Sequence, residues 1–407
     1  MRIPQELVDL IVDNLHDDIP SLKSCSLTAR AFVGSAQTWL FNSVEILPPK
    51  SRDDQDSPCR RFYKLLTRSP HIAPLIEELQ IVLVGSETSA YDAEGGYYLE
   101  ERHVPWVMSG RTLSLVLALL NLKRISLVEN SSSEWNGYGR YSMQWNKLGR
   151  SLKSALAAVF SSPRLESVCL RGIVVQSPVQ LLSLFSEATS LKELSISRVY
   201  FTQVWSERTS WPESQPWNPQ LQSLLVSDVD SGPLCCYLLH PQIDLTRITS
   251  LTLATRTVEW KEKMSKAISG MTHLALYQPH WTGIALESIL TPSLRSIHFF
   301  SADSRLLIPA IFEACPDNSR LERIVFEGST NSFLTRLHPL AIDARIEAAM
   351  VNLRALKSVE IRAYFQAYSY RMFHKWAEDV RAALPSLVGR GLLILTEIPR
   401  VYVNPWE

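Results

Sequence analysis

The sequence predicts an α/β fold: a parallel sheet with helices outside it, preceded by a short all-helical N-terminal segment. Three observations predict it. A six-residue pattern, apolar-polar-polar-apolar-x-apolar, recurs at near-regular spacing. Helix-like runs fill the intervals between its copies. The first forty residues show neither feature.

The pattern appears as "LESVCL" at Leu165, "LKELSI" at Leu191, "LQSLLV" at Leu221 and "ITSLTL" at Ile248. It continues as "MTHLAL" at Met271, "LRSIHF" at Leu294, "LERIVF" at Leu321 and "LKSVEI" at Leu356. Upstream lie "FNSVEI" at Phe41, "IEELQI" at Ile76 and "LKRISL" at Leu122. A chain that is 46% hydrophobic gives such matches by chance, so the spacing carries the weight. From Leu165 the starts are 26, 30, 27, 23, 23, 27 and 35 residues apart. Between them run "VQLLSLFSEATS" from Val179, "VEWKEKMSKAIS" from Val258 and "GIALESIL" from Gly283. "LLIPAIFEAC" from Leu306 and "AIDARIEAAMVNL" from Ala341 follow. A strand then a helix, repeated in one sense, gives a parallel sheet covered by helices. Each repeat buries its face only against its neighbours, which predicts a curved solenoid. An ordinary doubly wound α/β domain has the same alternation and stays open at this point.

The pattern and its spacing resemble leucine-rich repeats, over most of residues 41–400. The resemblance implies a solenoid spanning 41–407 whose C-terminal "GRGLLILTEIPRVYV" from Gly389 is a last strand pair or a cap. One departure is visible. The Asn or Cys usual after the last strand leucine is missing, as in Leu170-Arg171-Gly172-Ile173. The repeats must therefore satisfy their backbone groups in another way.

Residues 1–40 read as three short helices. The first starts at Pro4, a residue suited to a first helical turn because its missing N–H is not needed there. Leu7, Val8, Leu10, Ile11, Val12 and Leu15 spread over roughly 200° of that helix at ~100° per residue. A helix resting on one core shows a narrower stripe. The second helix starts at Ser21 and carries Leu22, Cys25, Leu27 and Phe32; the third runs from Gly34 into Trp39 and Leu40. Forty residues cannot bury this much apolar surface alone. Either the segment caps the repeats or a partner covers part of it.

"IPQELVDLIVDNLHDDIPSLKSCSLTARAF" resembles an F-box, particularly the fungal kind, at Pro4, Glu6, Leu7, Ile11, Leu15, Leu22, Cys25, Ser26, Leu27 and Arg30. Ile3 stands where Leu is usual and Phe32 where Trp is common, and both keep apolar bulk. The resemblance implies a substrate-recognition adaptor of an SCF (Skp–cullin–F-box) ubiquitin ligase. It places Ile3, Pro4, Leu7, Ile11, Leu22 and Leu27 against the Skp-type linker, and through it a cullin. The solenoid would hold a protein target. The alternative is a repeat protein that binds or scaffolds without a ligase role, and an enzyme on an irregular α/β fold is the third reading.

Target recognition has candidate residues in the long aromatic loops that follow several strands: Tyr97, Trp106, Trp135, Trp145, Trp205 and Trp211. Tyr and Trp supply rigid contact area. The same rings could instead pack on one another and tether the loops.

No catalytic residue, cofactor site or metal site is expected. GxSxG, GxxxxGK[ST] and HExxH are absent from the sequence. The six cysteines form no CxxC and read as buried apolar residues in a reducing compartment, cytoplasm or nucleus. Equal numbers of acidic and basic residues, 41 each, argue against nucleic acid as the main partner. The longest apolar run, "TLSLVLALLNL" from Thr112, is too short to span a membrane.

Overall fold

A computed structural model describes residues 4–49, 57–83, 106–108, 111–129, 143–203, 220–227, 245, 247–254, 270–277, 290–300, 307–317, 319–329, 339–364 and 370–398. The chain forms two compact units, Met1–Pro219 and Gln220–Glu407.

The first unit begins with three helices, α1 (Gln5–Asp13), α2 (Ile19–Thr28) and α3 (Arg30–Asn42), and α3 leads directly into β1 (Ser43–Ile46). The boundary between the second and third helices differs from the sequence expectation. Ala29 is extended, at φ −155° and ψ 151°, so α2 stops at Thr28 and Phe32 belongs to α3. Asp18 sets the start of α2 by accepting the Ser21 N–H at 3.1 Å. Next come α4 (Pro58–Arg68), β2 (Glu78–Val82), α5 (Thr112–Leu119), β3 (Arg124–Val128) and the short β4 (Met143–Gln144). The unit ends with α6 (Arg150–Phe160), β5 (Ser167–Val175), α7 (Pro178–Ser183) and β6 (Glu193–Phe201).

The second unit contains β7 (Ser223–Ser227), β8 (Ser250–Ala254), β9 (His273–Tyr277), β10 (Ser296–Phe300) and α8 (Leu307–Ala314). It continues with β11 (Arg323–Ser329), α9 (Pro339–Ala349), β12 (Ser358–Tyr364), α10 (Tyr370–Ala383), α11 (Pro385–Gly389) and β13 (Leu393–Ile398). The helices expected from Val258 and Gly283 lie outside the described residues. Among its described residues the C-terminal segment supplies the strand β13, parallel to β12.

Every described pairing is parallel. The order is β1-β2-β3-β5-β6 in the first unit, with β4 beside β5, and β7 to β13 in chain order in the second. The register places the same repeat position of successive strands side by side: Leu79 opposite Ile125, Ile125 opposite Val168, Val168 opposite Leu194. Ile297, Ile324 and Val359 align likewise in the second unit. From Ile76 onward the fourth and sixth residues of each pattern point into the core and the first is buried beneath the strand start, as at Leu122, Leu165 and Leu321, whereas Phe41 and Val44 of the first pattern are only half-buried. This alternation is what a strand with one covered face requires.

At the strand entrances a relay of backbone bonds joins successive repeats. The carbonyl of the second repeat residue accepts two N–H groups from the next repeat. Glu77 O takes Lys123 and Arg124 (2.8 and 3.0 Å), and Lys123 O takes Glu166 and Ser167 (2.8 and 3.1 Å). Gln222, Thr249, Thr272, Arg295 and Glu322 repeat the arrangement in the second unit. Each relay carbonyl uses both lone pairs.

A second device lengthens β5 and β6. Gly172 has φ +74° and Arg198 φ +50°, and both fall in the gap of the pairing between Arg171↔Ser197 and Ile173↔Val199. Both strands kink at one level. Beyond the kink, Ile173 and Val174 pair with β4 instead of β3.

Candidate functional site

The N-terminal helices hold the strongest feature. Their core is Val12, Leu22 and Ala36, with Leu15, Phe32, Trp39 and Leu40 packed around it. Val8 is also buried. At ~100° per residue, Val8 and Val12 share one stripe of α1, and Asp9 and Asp13 lie on the next. That acidic stripe turns toward α3. Asp9 accepts from the Ser35 hydroxyl and from Gln5 Nε2 (2.8 Å), and Asp13 accepts the Trp39 indole N–H at 2.8 Å. The Ser35 and Gln5 bonds hold the Asp9 carboxyl below its usual range. Gln5 Nε2 also reaches the Ala31 carbonyl at 3.1 Å.

One buried stripe and one bonded to α3 leave a third turned outward, and it carries three large apolar residues. Leu7, Leu10 and Ile11 keep 51%, 59% and 48% of their surface in solvent. On α2, Ile19 and Leu27 are exposed as well, Leu27 almost completely. Val8 and Val12 thus form an ordinary inward apolar stripe, Asp9 and Asp13 bond sideways to α3, and a second apolar stripe remains in solvent. Covering the three half-exposed α1 side chains is worth about 3 kcal/mol, at ~1 kcal/mol each.

The sequence-derived contact set divides accordingly. Leu7, Ile11 and Leu27 lie on the open surface, and Pro4 is exposed at the start of α1. Leu22 does not lie on that surface: it is fully buried between α1 and α3 and holds them together. Ile3 lies outside the described residues. Leu10 and Ile19 were missed, because the sequence does not show which stripe of α1 faces α3 or which side of α2 stays open.

The aromatic loop residues give a different picture from the one expected. Trp145 is buried, stacked on Phe160 at 6.4 Å, which in turn meets Phe185 at 5.2 Å. It is a core ring of the first unit and offers no surface to a target. Trp106 is half-buried and donates its indole N–H to the Val82 carbonyl at 2.8 Å, which ties its turn to the end of β2. Tyr97, Trp135, Trp205 and Trp211 lie outside the described residues.

No group of three or more metal-ligating side chains occurs among the described residues. No described helix is long and apolar enough to cross a membrane. Burial pushes the Cys59 thiol up to about 11 and the Cys315 thiol to about 12. Burial raises Cys169 too, against opposing bonds from Ser195 and Ser126. Thiolate is the nucleophilic form, so these are inert side chains. Treatment of the native protein with iodoacetamide near pH 8 is expected to leave Cys59 and Cys315 unmodified, and denaturation to expose both. Peptide mass mapping reads the result; labelling of either in the native protein would contradict their burial.

A comparison with known protein families finds no match, and no curated protein matches this chain.

Proposed function

We propose that this chain is a non-catalytic adaptor of an SCF ubiquitin ligase. The outward leucine stripe of α1 carries the reading. A chain that already buries one apolar stripe of α1 and leaves Leu7, Leu10 and Ile11 in water has a surface suited to a partner. The F-box-like residues fall on the same helices, and the Skp-type linker is the partner they imply. The parallel sheet behind them suits the second task, because repeats of the leucine-rich kind offer broad surfaces to protein targets. Such an adaptor acts by raising the effective concentration of target near the conjugating enzyme, which requires no bond chemistry of its own. The compartment that follows from the reading is the cytoplasm or nucleus.

Leu7→Ala with Ile11→Ala is expected to abolish co-purification with the linker while leaving the circular-dichroism spectrum unchanged. Central anchors of this kind each contribute ~2 kcal/mol or more to binding. Leu22→Ala opens a cavity inside the helical unit, so its loss of binding is accompanied by loss of helical signal. Full-yield co-purification of the Leu7/Ile11 double variant would sink the reading. A protein that never captures linker or cullin, yet captures other proteins, would be a scaffold without a ligase role.

A further inference from the structure

On β10, β11 and β12 the side chains that alternate with the core residues form a charged network drawn from three repeats. Glu360 sits at its centre. Its carboxylate accepts Arg323 Nη2 at 2.5 Å, Arg362 Nε at 2.9 Å and Nη2 at 3.3 Å, and Thr396 Oγ1 of β13 at 3.2 Å. Glu327 is held by the Tyr364 hydroxyl, with His298 Nε2 at 3.2 Å and Arg362 Nη1 at 3.7 Å.

The charges balance in number but not in position. The carboxylate side chains are nearly covered, 4% exposed at Glu327 and 10% at Glu360. The arginine side chains paired with them are more exposed, 48% at Arg323 and 30% at Arg362. The strand entrances repeat this asymmetry: Arg295 and Lys357 flank Glu322 at 3.6 and 2.5 Å and are more exposed than it is. An approaching molecule therefore meets four cations first. Arg323 and Arg362 are also fixed side by side by one shared carboxylate, so little side-chain freedom remains to be lost on binding. Ile394, in register with Glu360 and half-exposed, adds an apolar contact at the edge.

We infer that this face of β10–β12 docks an acidic polypeptide segment, with Asp or Glu carboxylates on Arg323 and Arg362 and an apolar side chain against Ile394. Carboxylates fit better than phosphates, because a doubly charged group would sit directly above Glu327 and Glu360. The surface goes beyond the adaptor reading and does not use the N-terminal helices.

The test uses the full chain and fluorescence anisotropy with a labelled peptide of Glu-Glu-Leu repeats. Its Lys-Lys-Leu counterpart, a phosphoserine version and a single-stranded oligonucleotide are compared in parallel. The acidic peptide is expected to bind best, and to weaken with salt as the screening length shortens from ~8 Å toward ~3 Å. Arg323→Gln with Lys357→Gln should weaken it about tenfold or more, the loss of one charge-assisted contact or its equivalent. Arg323→Lys should recover part of that. Arg150→Gln with Arg164→Gln, exposed arginines of the first unit, should leave binding unchanged. Leu7→Ala with Ile11→Ala should also leave it unchanged, which separates failure here from failure of the adaptor reading. Unaltered melting confirms that the double glutamine variant folds; if it does not, Arg323→Gln alone is measured. Equal binding of acidic and basic peptides, tighter binding of the phosphopeptide or oligonucleotide, or undiminished binding by the glutamine variant would each overturn the inference.

Discussion

Replacing Gly172 with alanine is expected to lower the first unit's melting temperature by roughly 6–12 °C, the equivalent of ~3 kcal/mol in a unit of this size. Two separate effects combine. Gly172 holds φ +74°, where a β-carbon costs about 1–2 kcal/mol. The added atom would also clash with Glu129 Oε2 and Glu129 Cβ. Glu129 is itself buried, and its backbone N–H is bonded to the Arg171 carbonyl at 3.1 Å. It cannot simply swing into solvent, so the kink shared by β5 and β6 must move. Gly34 is the control. A β-carbon there meets nothing within 4 Å, and the residue lies inside α3. Gly34→Ala should stabilise by about 1 kcal/mol. Calorimetry of both variants gives the answer: equal, small shifts would mean that the kink at residue 172 is not a fixed part of the fold.

The repeat was legible because it rests on local rules. Leu165, Val168 and Leu170 are all buried, and so are Leu321, Ile324 and Phe326, the positions the six-residue pattern marks as apolar. In-register stacking follows once every repeat buries the same positions. The helix boundary at Ala29 was not legible. Leu22, Cys25, Leu27 and Phe32 keep an apolar rhythm across it, and Ala has no preference that announces a break. Trp145 misled for a related reason. It closes a polar, aromatic stretch in the sequence, yet it stands beside α6, and Phe160 of that helix receives its ring. The charged face of the second unit was invisible for a stronger reason. His298, Glu327 and Glu360 come from three repeats, and only the register of β10, β11 and β12 brings them together. Sequence counts balanced charges; it does not show that the carboxylates are more covered than the arginines paired with them.

That buried arrangement should make the second unit sensitive to acid. Burial alone would push the Glu360 carboxyl up, but bonds and charge from Arg362 and Arg323 outweigh it and hold the group at about 2, below the ordinary 4.5. A carboxyl with a depressed folded value stabilises the fold above its unfolded value and loses that contribution as pH falls toward the folded one. The window is therefore from about 4.5 down to about 2. The effect should be ~1–2 kcal/mol, less than the full shift implies, because both arginines stay partly in solvent. Glu360→Gln isolates it. Near neutral pH the variant should melt several degrees below the parent, since the two guanidiniums lose their shared anion. As pH drops through the window the parent protonates Glu360 and approaches the variant, so the gap closes. Glu313 and Glu322 are also held low, by bonds from Arg345 and Lys357 respectively, but they titrate in both proteins and cancel from the difference. A gap that stays constant from neutral pH to about 3 would mean that Glu360 contributes shape rather than charge. A gap that closes would show that ion pairing joins β11 and β12 on the same face whose arginines are proposed to meet an acidic partner.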